Sequence, residues 1–250
     1  AYNQWMHSLT TKQTYEFEGR LRAVAGSYRW FLIRIVPVLD GQGQVLRWYG
    51  TATDIHDRKI AELNAQFLRD LDRRLRQLTD SRAMEWEVVR SLGEYLQVDR
   101  CLWHTVDLAA GITTVEQDWY QPSDLKSTAG VYQLSEYILP EMIRHYCRGQ
   151  PLVIEDVTTH GFTASVAHNF AQHKIHAILG TPCIEAGRWV AALAVNSCSV
   201  RQWRSDEVEL LQEIVARLWS LIEQTRAIAA LREQEERTRL ATEAAELGMW

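Results

Sequence analysis

Apolar and polar side chains alternate through the first part of the chain. In YEFEGRLR, Tyr15, Phe17, Gly19 and Leu21 fall on one side and Glu16, Glu18, Arg20 and Arg22 on the other, the period of a half-buried strand. The turn residues Gly26-Ser27 lead into YRWFLIRIVPVL, and Asp40-Gly41-Gln42-Gly43 closes a hairpin onto VLRWYGTAT. Three antiparallel strands are expected here. Upstream, Trp5, Met6 and Leu9 have the spacing of one turn of a helix face. A three-stranded meander is small to fold alone, so further strands are expected before residue 1.

After Asp54 the period changes. No Gly or Pro occurs from Asp57 to Asp80, and Leu68, Leu71, Leu75 and Leu78 step by 3-4-3, with Ala61 and Asn64 extending the register backwards. That spacing is the seam of a two-chain coiled coil or, equally, the buried stripe of a helix packed on its own domain; the seam is the expectation taken. Ser81 to Val98 reads as a second amphipathic helix with Trp86, Val89, Leu92 and Leu96 inward. Strands follow at 100–106 and 113–119 across Gly111, then a polar loop at 121–130 with Pro122, Ser123 and Gly130. Next come a helix at 136–147, a strand at 151–157, a helix at 162–174, and strands at 176–185 and 188–198. The last of these, RWVAALAVNSC, is apolar on both faces, as a central strand covered by helices on each side would be. Ser205 is expected to cap a long helix with Glu207 in its first turn. In that helix Ile214, Leu218, Leu221, Thr225 and Ile228 step by 4-3-4-3, a second heptad seam.

Composition narrows the classes. A chain of 250 residues, 46% hydrophobic and 24% charged, is globular and holds one or two domains. Its net charge of -5 leaves no basic footprint for nucleic acid. Cys101, Cys147, Cys183 and Cys198 stand far apart with no CxxC pair, which argues against a zinc site or disulfide framework and fits thiols in a reducing compartment. No apolar run approaches the ~18 residues of a membrane helix. The first residue is not Met and Trp250 interrupts a pattern, so the chain reads as a piece of a longer protein.

Catalytic chemistry is missing from the sequence: there is no P-loop, GxSxG, HExxH or dinucleotide fingerprint, no His in a His-Glu-x-x-x-Pro phosphoacceptor context, and no GGDEF or EAL. His160, His168, His173 and His176 cluster, and His173 and His176 can share a helix face as metal ligands do. With no Asp, Glu or Cys suitably spaced beside them, they read as solvated or capping residues, and no metal is expected. Trp103, Trp119 and Tyr120 are candidates to line a small-molecule pocket between the sheet and segment 121–175; their alternative is the core.

The stretch YEFEGRLR…YRWFLIRIVPVLDGQGQVLRWYGTATDIHDRK closely resembles the C-terminal (PAC) half of a PAS domain. Arg29-Trp30, the hairpin at Gly41–Gly43, and Trp48-Tyr49-Gly50 leading into Thr53-Asp54-Ile55 carry that likeness. Residues 81–222 resemble a GAF domain through LGEYLQVDRCLWHTVD, PLVIEDV, GTPCIEAGRWVAALAV and RQWRSDEVELLQEIVARLWSLIE. RTRLATEAAELGMW is similar to the opening of another PAS domain, with Gly248 and Trp250 at its first strand.

These resemblances imply an α+β chain joined by long amphipathic helices. A partial PAS antiparallel sheet occupies 1–56, a helical linker 57–80, a GAF-type antiparallel sheet flanked by helices 81–222, a second linker 223–236, and the start of a second PAS domain 237–250. They imply a cytoplasmic sensory and signal-relay region of a bacterial multi-sensor histidine kinase, not itself catalytic, with a kinase domain downstream in the same chain. A homodimer would form through linker seams at Leu68, Leu71, Leu75, Leu78, Ile214, Leu218, Leu221 and Ile228. The alternatives are a bilin- or haem-binding photoreceptor or gas sensor, the input region of a cyclic-di-GMP enzyme, and a structural spacer. Phytochrome-related GAF domains attach a bilin to a Cys in the region corresponding to 158–176, where this chain has His168-Asn169 and no Cys; Cys147 falls outside it. Covalent bilin is therefore not expected. His168 joins Trp103, Trp119 and Tyr120 as a pocket candidate, and the ligand stays unassigned. In PAS domains the last strand runs directly into the output helix, and here that exit reads Thr53-Asp54-Ile55. A carboxylate there can cap the helix and pair with a nearby Arg or Lys, which makes Thr53 and Asp54 the signal-relay candidates.

Overall fold

Alternation shapes the first of the two units into which the chain divides, residues 1–67 and 68–250. The computed structural model describes residues 2–23, 26, 28–121 and 123–247; Ser27, Pro122, Gly248 and Trp250, named above, lie outside them. Helix α1 (Tyr2–Thr11) sets Trp5 edge-on to Tyr15 and Trp48. Strands β1 (Tyr15–Arg22), β2 (Tyr28–Leu39) and β3 (Val45–Asp54) form an antiparallel sheet in the order β1-β2-β3. The expected hairpin closes where Asp40 Oδ1 accepts from the amides of Gln42 and Gln44, both at 2.8 Å, and Gly43 takes a φ of +75° that glycine adopts without strain. Helix α2 (His56–Leu75) follows β3 without a loop.

The second unit is a mixed helix-and-sheet domain. Helix α3 (Ser81–Leu96) starts at Asp80, whose carboxylate accepts from the Ala83 amide at 2.8 Å. A six-stranded antiparallel sheet follows: β4 (Arg100–Asp107), β5 (Ile112–Tyr120), β6 (Gly130–Gln133), β7 (Leu152–Ile154), β8 (Ala177–Glu185) and β9 (Arg188–Ser197), in spatial order β6-β5-β4-β9-β8-β7. One face is covered by α3 and by α7 (Ser205–Leu247), where Val88, Val89, Leu92, Leu193, Val195, Leu211 and Leu218 are fully buried. The other face carries α4 (Leu134–Tyr137), α5 (Pro140–Cys147), a 3-10 turn at Ala164–Val166 and α6 (Ala167–Ala171), around a second core that includes Met142, Tyr146, Ile154, Phe170 and Trp189. Strand β9 is buried on both faces, as its unbroken apolar run requires.

Several elements depart from the sequence expectation. The helix expected over 136–147 is two, because Pro140 drives Leu139 to an extended ψ of 155°, as the residue before a proline must be. The strand at 151–157 shrinks to Leu152–Ile154, and the helix at 162–174 to a 3-10 turn and α6. Strand β6, too short for alternation to register, pairs with β5 at the sheet edge. Ser205 is the first helical residue and not the cap: Arg204 accepts the first helical amides, and Glu207 reaches back to the Arg204 N–H at 2.9 Å, a reciprocal cap.

The two expected seams are largely closed inside one chain. Leu68, Leu71 and Leu75 are 5%, 1% and 1% exposed, and ion pairs of Asp72 with Arg217 and of Arg74 with Glu87 fix that stretch of α2 against α7 and α3. Ile214 and Leu218 are core residues, Leu78 and Leu221 are partly buried, and Ile228 is exposed. A heptad stripe and the buried stripe of a packed helix share one spacing, so the sequence alone does not separate them. Among the described residues, no helix is long and apolar enough to cross a membrane.

Candidate functional site

On β4 the two-residue period sends Leu102 and His104 to one face of the sheet and Cys101 and Trp103 to the other. The first face floors a cavity of about 130 Å³. Its floor is Leu102, His104, Thr113, Val115, Ile178, Ala194 and Asn196; α4, α5 and α6 with their connections roof it through Tyr137, Ile138, Met142, Tyr146, Phe170, His173 and Ile175. Small residues make the space. Ala194 sits mid-floor, and Gly180 lies under the Tyr146 hydroxyl, where a Cβ would collide with that oxygen.

The polar groups of the site fall into two sets. Some are satisfied. With Thr113 Oγ1 donating to the Thr105 carbonyl at 3.0 Å, its 2.8 Å contact with His104 Nδ1 is assigned as a bond that His104 donates, the Nδ1–H tautomer with Nε2 as acceptor. Tyr132 donates to the Thr128 carbonyl at 2.7 Å, and Tyr137 Oη meets His173 Nε2 at 3.2 Å. Beside the cavity, Arg100 and Asp118 form a buried ion pair; Arg100 also donates to the Lys126 carbonyl at 2.8 Å, and Asp118 accepts the Thr128 amide at 2.9 Å, so the pair pins the 126–128 loop that walls the site. Other groups are not satisfied: among the described residues, the Asn196 amide and the Tyr146 hydroxyl, on side chains in residues 4% and 2% exposed, have no hydrogen-bond partner.

Burial sets the protonation states. It pushes His104 down to about 4, so the ring is neutral at pH 7. Burial, then the positive charge of Arg100, lowers His173, and burial raises the Tyr146 hydroxyl. Among the described residues, no carboxylate, ammonium or guanidinium lines the cavity.

None of the four pocket candidates taken from the sequence lines this cavity. Trp103 faces the helices and stacks on Trp219 of α7, ring centroids 6.5 Å apart. Trp119 lies on Gly93 of α3, where a Cβ would enter its ring. Tyr120 is near the sheet end beneath the Arg100 guanidinium, and His168 is exposed on α6. The residues missed, His104 and Asn196, left a readable trace: each is a polar side chain two residues from an apolar one on the inward register of its strand, Leu102 on β4 and Ala194 on β9. Of the histidine cluster, His173 alone reaches the cavity. Among the described residues no group of His, Cys, Asp or Glu is placed to hold a metal ion.

A tetrapyrrole would require the segments that roof this site to move outward. About 130 Å³ is close to the space that one benzene ring fills, several-fold short of four linked rings or a haem. Among the described residues, no cysteine lines the cavity either.

In the first unit, Asp54 does both things its position allowed. Its Oδ2 accepts from Arg29 Nε at 2.7 Å and its Oδ1 from the His56 amide at 2.9 Å, at the start of α2. The Arg29 guanidinium, then the His56 amide, holds the Asp54 carboxyl below its usual range. Thr53 is exposed and pairs across to Leu32.

Comparison with known proteins agrees with this architecture. Residues 87–222 match the family model of the GAF domain, and residues 1–52 that of the PAS fold. A 64-residue stretch is 42% identical to the peroxide stress-activated histidine kinase mak1 of Schizosaccharomyces pombe, covering 26% of this chain and 4% of that protein. Among solved structures, the phycoerythrobilin-bound GAF domain from a cyanobacterial phytochrome superposes with a TM-score of 0.59 at 17% identity, over 66% of this chain and 97% of that one. The GAF domain from a phosphoenolpyruvate-protein phosphotransferase of Coxiella burnetii gives 0.53 at 19%, over 67% and 96%. At these identities the likeness is one of fold.

Proposed function

Because the chain belongs to the GAF domain family, we propose that it is a sensory and signal-relay region, most specifically of a cytoplasmic histidine kinase whose kinase domain lies further along the same chain. One observation carries this reading. The sheet that floors the cavity on one face is backed on the other by α7, and α7 then runs on past Ile222, its last buried residue among the described side chains, to Leu247. Strand β4 lies between the two, with His104 toward the cavity and Trp103 against Trp219 of α7. A change at the cavity that moves β4 therefore moves the base of a helix 43 residues long, about 65 Å from end to end. Two populations of helix position, biased by what the cavity holds, would be the signal.

Past Ile222, α7 exposes Ile228, Leu231 and Leu240. A second copy of the chain covers these residues in a parallel homodimer, and Leu221 and Ile228 are what remains of the expected seam for it. In the PAS-like unit, Thr53 and Asp54 set the starting point of α2 and relay from that sheet in the same way.

Ala194→Leu, which fills the cavity floor, tests the reading in the full-length parent. Output activity is expected to shift at least threefold while the thermal midpoint falls by no more than overpacking of about 1–3 kcal/mol explains. Output that tracks only the folded fraction would reject it.

A further inference from the structure

The cavity floor has hydrogen-bonding capacity at its two ends and apolar residues between them, with the Tyr146 hydroxyl of the roof above Gly180, beside Ala194. His104 stands opposite Ala192 and Asn196 opposite Arg100 in the β4–β9 ladder, with Leu102 and Ala194 between them. Four residues of strand separate the two positions, about 13 Å. At one end His104 Nδ1 is committed to Thr113, leaving Nε2 as an acceptor. At the other, the buried Asn196 amide offers donor and acceptor with no partner among the described residues. Leu102, Val115, Met142, Phe170 and Ile178 close the space between.

We propose that this cavity binds a neutral, single-ring, para-disubstituted phenol. The proposal rests on the sensory reading above and names the ligand class that reading leaves open. Size selects one ring: 130 Å³ is below the ~300 Å³ at which drug-sized pockets begin and near the ~150 Å³ that takes benzene. Length selects the para pattern. Two hydrogen bonds of about 3 Å leave roughly 7 Å between the ligand's polar atoms, about the span of a ring substituted at opposite corners. Charge is excluded on both signs, because no ionised side chain lines the cavity, Arg100 and Asp118 neutralise each other, and an unpaired ion buried there keeps its full desolvation penalty. His104 Nε2 accepts and does not donate, so the group facing it must be a donor, a phenolic hydroxyl. Asn196 takes either kind of neutral polar group. Aromatic edges at Tyr137 and Phe170, themselves T-packed at 5.5 Å, suit a flat ring.

Calorimetric titration of the chain with 4-hydroxybenzyl alcohol, p-cresol, benzyl alcohol and 4-hydroxybenzoate separates these requirements. The first should bind. p-Cresol, which loses the Asn196 end, and benzyl alcohol, which loses the His104 end, should each bind about fivefold more weakly, the range of one hydrogen bond. The anion 4-hydroxybenzoate should bind at least tenfold more weakly. Asn196→Leu should erase the gap between the first two compounds; near-ultraviolet circular dichroism checks its fold, and the wild-type series decides the matter if that variant does not fold. Benzoate binding as tightly as the alcohol, or no binding by any of the four, overturns the proposal. If none binds while Ala194→Leu still shifts output in the parent, the ligand class is wrong and the sensory reading stands; if output is also unmoved, both fall.

Discussion

Arg100 and Asp118 show what a single position contributes and what its letter conceals. Both look like ordinary surface charges on strands, yet Arg100 is 2% exposed and the Asp118 side chain is fully buried. The inward register of Arg100 follows from alternation with Leu102 and His104, whereas Asp118 comes to the same face as Thr113 and Val115 only through a register shift between Leu102 and His104 that no periodicity announces. Removing one partner strands a buried charge, so Asp118→Asn is expected to cost on the order of 3–5 kcal/mol, read as a lower urea midpoint; a change under ~1 kcal/mol would refute the buried pair. His104 gives a pH signature. Unfolded, it titrates at its ordinary 6.5, and folded at about 4. Between those values the unfolded chain holds a proton that the folded chain lacks. The contribution of His104 is therefore full above about pH 6.5 and is lost as the pH falls toward 4. The loss should be on the order of 2 kcal/mol by about pH 5. His104→Phe lacks this titration, so between pH 7.5 and 5 wild type should lose on the order of 2 kcal/mol relative to it in urea midpoints; parallel curves contradict a buried neutral ring.

At the scale of elements, the long strands and the bodies of α3 and α7 were legible because they repeat a period many times. The short pieces that roof the cavity were not. Gly130–Gln133 is four residues, α6 is five, and the break at Leu139 hangs on one proline. Helix α7 is where spacing misled most, since the register through Ile214, Leu218, Leu221 and Ile228 passes from core to solvent without a change of period. The two halves should respond differently. Leu218→Asp puts a charge at a fully buried position and is expected to unfold the domain. Ile228→Asp with Leu231→Asp, both exposed, should leave the thermal midpoint within about 1 °C and shift the chain from dimer to monomer in light scattering. A wild-type monomer at tens of micromolar, where modest helical dimers form, would remove the dimer from the account.

For the whole molecule, the order of PAS-like and GAF-like segments could be read from the sequence because extended motifs carry it. The cavity could not. Its floor is kept low by the small Ala194, Gly180 admits the Tyr146 ring of the roof, and the other roof segments are distant in sequence, so the conspicuous tryptophans pointed to the opposite face of the sheet. In the proposed reading, function at this scale is the connection between the cavity and whatever α7 drives, and helical phase tests it without touching the site. Removing residues 234–235 from the full-length parent turns everything downstream by about 200°, whereas removing 234–240 takes out one heptad and restores the phase to within about 20°. Output activity per folded protein is the measurement. The account predicts at least a fivefold change for the two-residue deletion and near wild-type output for the seven-residue deletion; equal output from the two deletions would contradict a signal carried along α7.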